Sequence, residues 1–146
     1  MMLEDYCVID LEMTGLNPKH HKILEVAAVR VRKKEIISEC SMLIHQHQPL
    51  EEKITELTGI DQEMLAGAKE EDEVLDCFFG FLGEDILVGQ NVIFDYSFLK
   101  QAAINRKMSF ERKAADTLKI ARRCLPALEK RTLDALCGYY GIEIGH

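Results

Sequence analysis

The sequence predicts a mixed α/β sheet with helices packed on it. Short β-rich apolar runs crowd the first part of the chain. From about Glu71 onward apolar residues recur mainly at helical spacing. Between two such helical stretches, Ile86-Leu87-Val88-Gly89 returns to strand character. Strands first and helix–strand–helix units afterwards make a mixed sheet, not the all-parallel order of a dinucleotide-binding fold.

The elements follow in order. Tyr6-Cys7-Val8-Ile9 reads as a buried strand that runs into Asp10-Leu11-Glu12. Gly15 and Asn17-Pro18 then mark a turn. A second strand covers about Ile23 to Arg32 and ends in the alternation Val29-Arg30-Val31-Arg32. Lys33-Lys34-Glu35 turns it, and Ile36 to Ile44 forms a third, completing an antiparallel meander. Leu50 to Ala68 carries short helical signals, with Asp61 as an N-cap. Val74, Leu75, Phe78, Phe79 and Leu82 line one face of the next helix. After the strand at Ile86 to Gly89, a helix beginning near Asp95 buries Phe98, Leu99, Ala102 and Ala103. Asp116 is expected to open a helix with Leu118, Ala121 and Leu125 on one face. Thr132 caps a last helix with Leu133, Leu136, Cys137 and Tyr140 facing inward, and Gly138 and Gly141 end it.

With 146 residues, 47% apolar and 29% charged, the chain is one globular domain, residues 1–146. No apolar run approaches the ~20 residues of a membrane span. Met1-Met2-Leu3-Glu4-Asp5 lacks the basic and apolar stretches of a signal peptide. Five scattered cysteines exclude a disulfide scaffold and a zinc ribbon and fit a reducing cytoplasm. The net charge of −7 argues against a passive nucleic-acid coat. An enzyme acting on nucleic acid stays open, because carboxylates that hold divalent ions lower the formal charge while the ions restore it locally. Nucleotide-binding loops of the Gly-x-Gly-x-x-Gly and P-loop kinds are absent from the sequence.

Asp10 and Glu12 stand two apart at a strand end, so their side chains share a face. Paired carboxylates repel unless a cation lies between them, and hard divalent ions prefer such oxygens. The pair is either a metal site or two solvated acids past the end of a strand. Asp95 follows a strand and a polar loop, Gly89-Gln90-Asn91, and reads equally as a first-turn helix acid or as a site residue. In open α/β sheets, sites gather at strand ends.

Val8-Ile9-Asp10-Leu11-Glu12-Met13-Thr14-Gly15-Leu16 resembles the first motif of the DEDD exonucleases. Gly89-Gln90-Asn91-Val92-Ile93-Phe94-Asp95-Tyr96-Ser97-Phe98-Leu99 resembles the second, in the form found in the proofreading epsilon subunits of bacterial DNA polymerase III. Ile23 to Val29, Leu57-Thr58-Gly59-Ile60, Asp116-Thr117-Leu118 and Leu133 to Ile142 also resemble family segments, in the family's order. The wording of the first motif is itself oligoribonuclease-like. This resemblance implies a ribonuclease H-like fold and metal-dependent 3′→5′ removal of nucleoside monophosphates. It implies that Asp10, Glu12 and Asp95 hold two divalent ions, Mg²⁺ or Mn²⁺. It places Met13 and Thr14 at the 3′ end of the strand and Leu16 as a wedge against the last bases. Thr58 and Phe98 become neighbours of the nucleotide pocket, although Thr58 reads equally as a turn cap and Phe98 as core. The implied partners are single-stranded 3′ ends, DNA ahead of RNA, and a DNA polymerase.

The family's third motif is a His followed five residues later by an Asp on a last helix. No Asp follows His146 here. His146 is either that histidine or a residue flanking it, and the chain is expected to stop before the last catalytic helix. An active exonuclease, a catalytically incomplete module that binds nucleic-acid ends, and an oligoribonuclease-like or small-nucleotide phosphoesterase all remain open. Arg106-Lys107, Arg112-Lys113, Arg122-Arg123 and Lys130-Arg131 offer a phosphate track or a solvated face.

Overall fold

β1 (Asp5–Met13), β2 (Ile23–Arg32) and β3 (Glu35–Leu43) form the expected antiparallel meander. The computed structural model describes residues 4–117. The β2–β3 turn rests on Lys33 and Lys34, with φ 52° and 68°. Positive φ at both central residues is what a type I′ hairpin turn needs, usually met by Asn-Gly. β4 (Leu87–Gly89) joins β1 in parallel, pairing Cys7 with Leu87 and Val8 with Val88. β5 (Ala114–Asp116) continues in parallel, giving the order β3-β2-β1-β4-β5.

Strand alternation divides the sheet into two faces. Cys7, Ile9 and Leu11 of β1 point into the larger core with Val26 and Ala28 of β2. That face is covered by α3 (Glu71–Leu82) and α4 (Val92–Asn105). Val74, Leu75, Phe78, Phe79 and Leu82 are all buried, as their helical spacing predicts. Leu24 packs separately against Ile54, Ile60 and Leu65, which belong to α1 (Glu52–Thr58), α2 (Gln62–Ala66) and the turn between them. Asp61 caps α2 as expected, its Oδ1 accepting from the Met64 N–H at 2.8 Å.

α4 starts at Val92, slightly ahead of the expected start near Asp95, and Asp95 lies in its first turn. The helix expected to open at Asp116 begins at the next residue, Thr117, while Asp116 itself ends β5. Its Oδ2 accepts from the Val92 N–H at 3.2 Å. The cap of α4 therefore comes from a neighbouring strand. Asn91, which precedes the helix with φ 52°, gives no side-chain cap. The expected inward faces of the last two helices, Leu118, Ala121 and Leu125 and then Leu133, Leu136, Cys137 and Tyr140, lie outside the described residues, as do Thr132, Gly138 and Gly141. No described helix is long and apolar enough to cross a membrane.

Candidate active site

Asp10 and Glu12 stand on the face of β1 opposite Ile9 and Leu11, and two local features shape their surroundings. β4 is three residues long, so past Val8 the β4-side edge of β1 is left to the start of α4. Gly89 permits this approach: a Cβ there would meet the Ile9 carbonyl oxygen at 3.0 Å and the Val92 side chain at 3.3 Å. The chain can then turn from β4 into α4 and bring Asp95 against β1. The Asp95 carboxylate takes a hydrogen bond from the main chain of Leu11, the residue between the two strand acids.

Asp95 is 7% exposed. Burial first, and then the charges of Asp10 and Glu12, push its carboxyl up to about 8 against the opposing Leu11 hydrogen bond. Glu12 is raised by burial, then by Asp10 and by Glu25. Glu25 is raised by burial and by Asp10. The three motif acids thus share one electrostatic neighbourhood, and Glu25 is a fourth member that the sequence reading did not single out. Glu25 faces Glu12 directly across the β1–β2 ladder, with a bulge immediately after Glu12. An acid inside the apolar run Ile23-Leu24-Glu25-Val26-Ala27 was the signal for it.

The remaining expected residues divide. Met13 is half-buried against the core. Thr14 closes the loop that follows β1: its Oγ1 accepts from the Lys22 N–H at 2.9 Å, and its N–H donates to the Lys22 carbonyl at 2.9 Å. Gly15 lies beneath the His21 ring, within 2.5 Å of where a Cβ would sit. Leu16, on the same loop, is 69% exposed. Thr58 donates to the Ile54 carbonyl at 2.8 Å and accepts from the Ile60 N–H at 3.1 Å, which closes the end of α1. Phe98 is buried in the larger core. His146 lies outside the described residues, as do Arg122, Arg123, Lys130 and Arg131. Arg106 is held by Asp72 at 2.7 Å and by Asp76, and Arg112 reaches Glu84 at 3.4 Å. These two arginines tie the helices and loops around α3 together.

The donor set suits hard divalent cations. Carboxylate oxygens are the preferred ligands of Mg²⁺ and Mn²⁺, and a cation would relieve the repulsion that raises Glu12, Glu25 and Asp95. Among the described residues, the group whose ligand atoms close to within 4.8 Å of one another is a different one, His45, His47 and Glu70.

The chain is similar to known proteins over nearly its whole length. Residues 7–146 match the family model RNase_T, described as Exonuclease. DNA polymerase III PolC-type of Halalkalibacterium halodurans is 38% identical over 143 residues, covering 96% of this chain and 10% of that protein. The Bacillus subtilis protein of the same description is 37% identical over 144 residues, covering 97% of this chain and 10% of its own length. The chain thus spans 10% of the length of these curated relatives. Among solved structures, exonuclease X in complex with 5′-overhanging duplex DNA has a TM-score of 0.68 at 24% identity, covering 95% of this chain and 75% of that one. The zinc-bound complex of E. coli exonuclease I with single-stranded DNA has a TM-score of 0.76 at 17% identity, covering 98% of this chain and 36% of that one. At these identities the two structures show the fold, a ribonuclease H-like mixed sheet.

Proposed function

The chain belongs to the RNase T exonuclease family of DEDD enzymes, and from that premise we propose that it hydrolyses the terminal phosphodiester at nucleic-acid 3′ ends. Single-stranded DNA is the proposed substrate, ahead of RNA, and each turnover releases one nucleoside monophosphate. The observation that carries this reading is the convergence of Asp10, Glu12 and Asp95 from β1 and α4 into mutual electrostatic influence.

In this reading Asp10, Glu12 and Asp95 hold two Mg²⁺ or Mn²⁺ ions. When bound, such ions supply a water-derived nucleophile and stabilise the leaving oxygen of an in-line displacement. The chain's own residues set the geometry. The Leu11 main chain fixes the Asp95 carboxylate, and Gly89 lets α4 sit close enough for that contact. Glu25, behind Glu12, adds negative charge that favours cations at the site. Main-chain groups at Glu12 and Met13 hold the terminal nucleotide, Thr14 shapes the loop beside it, and exposed Leu16 wedges against the last bases. Thr58 and Phe98 act from underneath, by fixing α1 and α4. His146 is proposed as the general base or its neighbour, in a single domain that spans residues 1–146. A DNA polymerase is the proposed partner, since curated relatives are DNA polymerases III of PolC type. The proposed location is the cytoplasm.

A 5′-labelled single strand incubated with the chain and Mn²⁺, beside Asp10→Ala, tests this. A ladder shortening from the 3′ end that disappears in Asp10→Ala is the expected result. Strand binding without any ladder, at every Mn²⁺ concentration, would leave an end-binding module in its place. Cleavage of dinucleotides but not of long strands would point to a small-nucleotide phosphoesterase.

A further inference from the structure

Away from the motif acids, the segment leaving β3 forms a second group of ligand-type side chains. His45-Gln46-His47 follows β3, and Glu70 immediately precedes α3. An isolated parallel bridge between Ile44 and Lys69 brings these segments together, and the His45 N–H donates to the Lys69 carbonyl at 2.8 Å. Gln46 pins the loop between the histidines: its Nε2 donates to the carbonyls of Ile23 and Ile44, each at 3.0 Å. The two imidazoles meet edge to face with centroids 4.9 Å apart.

We propose that His45, His47 and Glu70 form a binding site for one divalent transition-metal ion of the Zn²⁺ class, clamping the exit of β3 to the start of α3. The ligand atoms of all three lie within 4.8 Å of one another. His45 Nδ1 is 2.9 Å from the Leu65 carbonyl oxygen. A carbonyl oxygen only accepts, so Nδ1 carries the proton and Nε2 keeps its lone pair. Metal-binding histidines are habitually oriented in this way, by a hydrogen-bond acceptor that holds the other ring nitrogen. His47 Nε2 lies 2.7 Å from Glu70 Oε2, and an ion entering between them takes the place of the proton they share. The His47 and Glu70 side chains are 73% and 60% exposed, so they can adjust to the ligand spacing of about 3.3 Å that Zn–N and Zn–O bonds impose. Two imidazoles and one carboxylate favour Zn²⁺, Co²⁺ or Ni²⁺ over Mg²⁺ or Ca²⁺. The cleft around them, about 400 Å³, is also lined by Glu71, whose charge favours a cation, by Asp72, which is paired with Arg106, and by Lys22, whose charge opposes a cation. Three protein ligands leave a fourth position for water.

The test uses the untagged 146-residue chain carrying Asp10→Asn, Glu12→Gln and Asp95→Asn, so that the acids on β1 and α4 do not contribute. Zn²⁺ is titrated by calorimetry and Co²⁺ by visible absorption. One equivalent of Zn²⁺ should bind, with Co²⁺ giving the intense d–d bands of a four-coordinate site. Adding His47→Ala or Glu70→Gln should weaken Zn²⁺ binding by on the order of 100-fold. Adding His20→Ala with His21→Ala should leave it unchanged. Circular dichroism in EDTA checks that each variant stays folded, and Glu70→Gln keeps the side-chain shape. Zn²⁺ affinity that is the same with and without His47 and Glu70, or that is lost with His20 and His21 instead, overturns the proposal.

Discussion

The two ends of β1 handle charge in opposite ways. Near its start, Asp85 is met by base: Arg32 Nη2 lies 2.8 Å from Oδ1, and Arg30 Nε lies 4.0 Å from Oδ2. The Cys7 thiol donates to Asp85 Oδ2 at 3.2 Å, and burial with that contact pushes the thiol up to about 12. Arg30 also stacks over the Phe81 ring, 4.4 Å from its centroid, and donates to the Phe81 carbonyl. Near the other end, acid meets acid. Glu12, Glu25 and Asp95 are all shifted upward, by burial and by neighbouring carboxylates. An ion pair completed within the chain serves the fold. Acids gathered so that they raise one another cost stability until a cation arrives, and so they mark the end of the strand that awaits a ligand.

The largest expected effect separates these roles by activity. Asp10→Ala or Asp95→Asn should lower kcat/KM on a single strand by on the order of 10³-fold or more, whereas Asp85→Asn should leave it within about threefold. Equal losses at both ends of β1 would dissolve the contrast. In the second test, by thermal unfolding, the order reverses. Asp85→Ala should destabilise the chain by roughly 1–3 kcal/mol, since it leaves Arg30 and Arg32 half-buried without their acid, discounted for their partial exposure.

The third test uses pH. The Asp95 carboxyl titrates near 8 in the folded chain and about 3.9 when unfolded, so the folded chain binds its proton more tightly. Its contribution to stability is therefore complete below about pH 4 and is lost as pH rises through 8. In EDTA, Asp95→Asn should consequently be more stable than the parent at pH 8, by roughly 1–3 kcal/mol, and the gap should close towards pH 4. A parent chain that gains stability between pH 5 and 8 through this residue would contradict the picture. The smallest effect concerns Glu25. Glu25→Gln should raise the Mn²⁺ concentration for half-maximal rate by about threefold while kcat holds, because it removes background charge and no ligand. A fall in kcat on the order of 100-fold would instead make Glu25 part of the catalytic set.

Much of the site could be read directly along the chain. Asp10 and Glu12 share a face because strands have a period of two, and the apolar run before them makes the strand. The buried faces of α3 and α4 follow from helical spacing. β5 was missed because Ala114-Ala115-Asp116 is too short and too weakly β-forming to announce itself, and it is a strand only by pairing with β4. Asp116 was read as opening a helix because an acid in that position commonly does, and Thr117 does begin one. What the sequence did not show is that the same carboxylate caps α4, which starts 24 residues earlier in the chain.

By itself, the sequence determined the kinds of element, the apolar faces and the pair of strand acids, because these depend on neighbours a few residues apart. Tertiary structure decided which distant groups meet. The β1–β2 register set Glu25 opposite Glu12, the closeness of Gly89 to Ile9 let Asp95 reach the Leu11 main chain, and the Ile44–Lys69 bridge carried Glu70 to His47. Register, close approach and bridging are set by how whole faces pack, and local spacing carries no record of them.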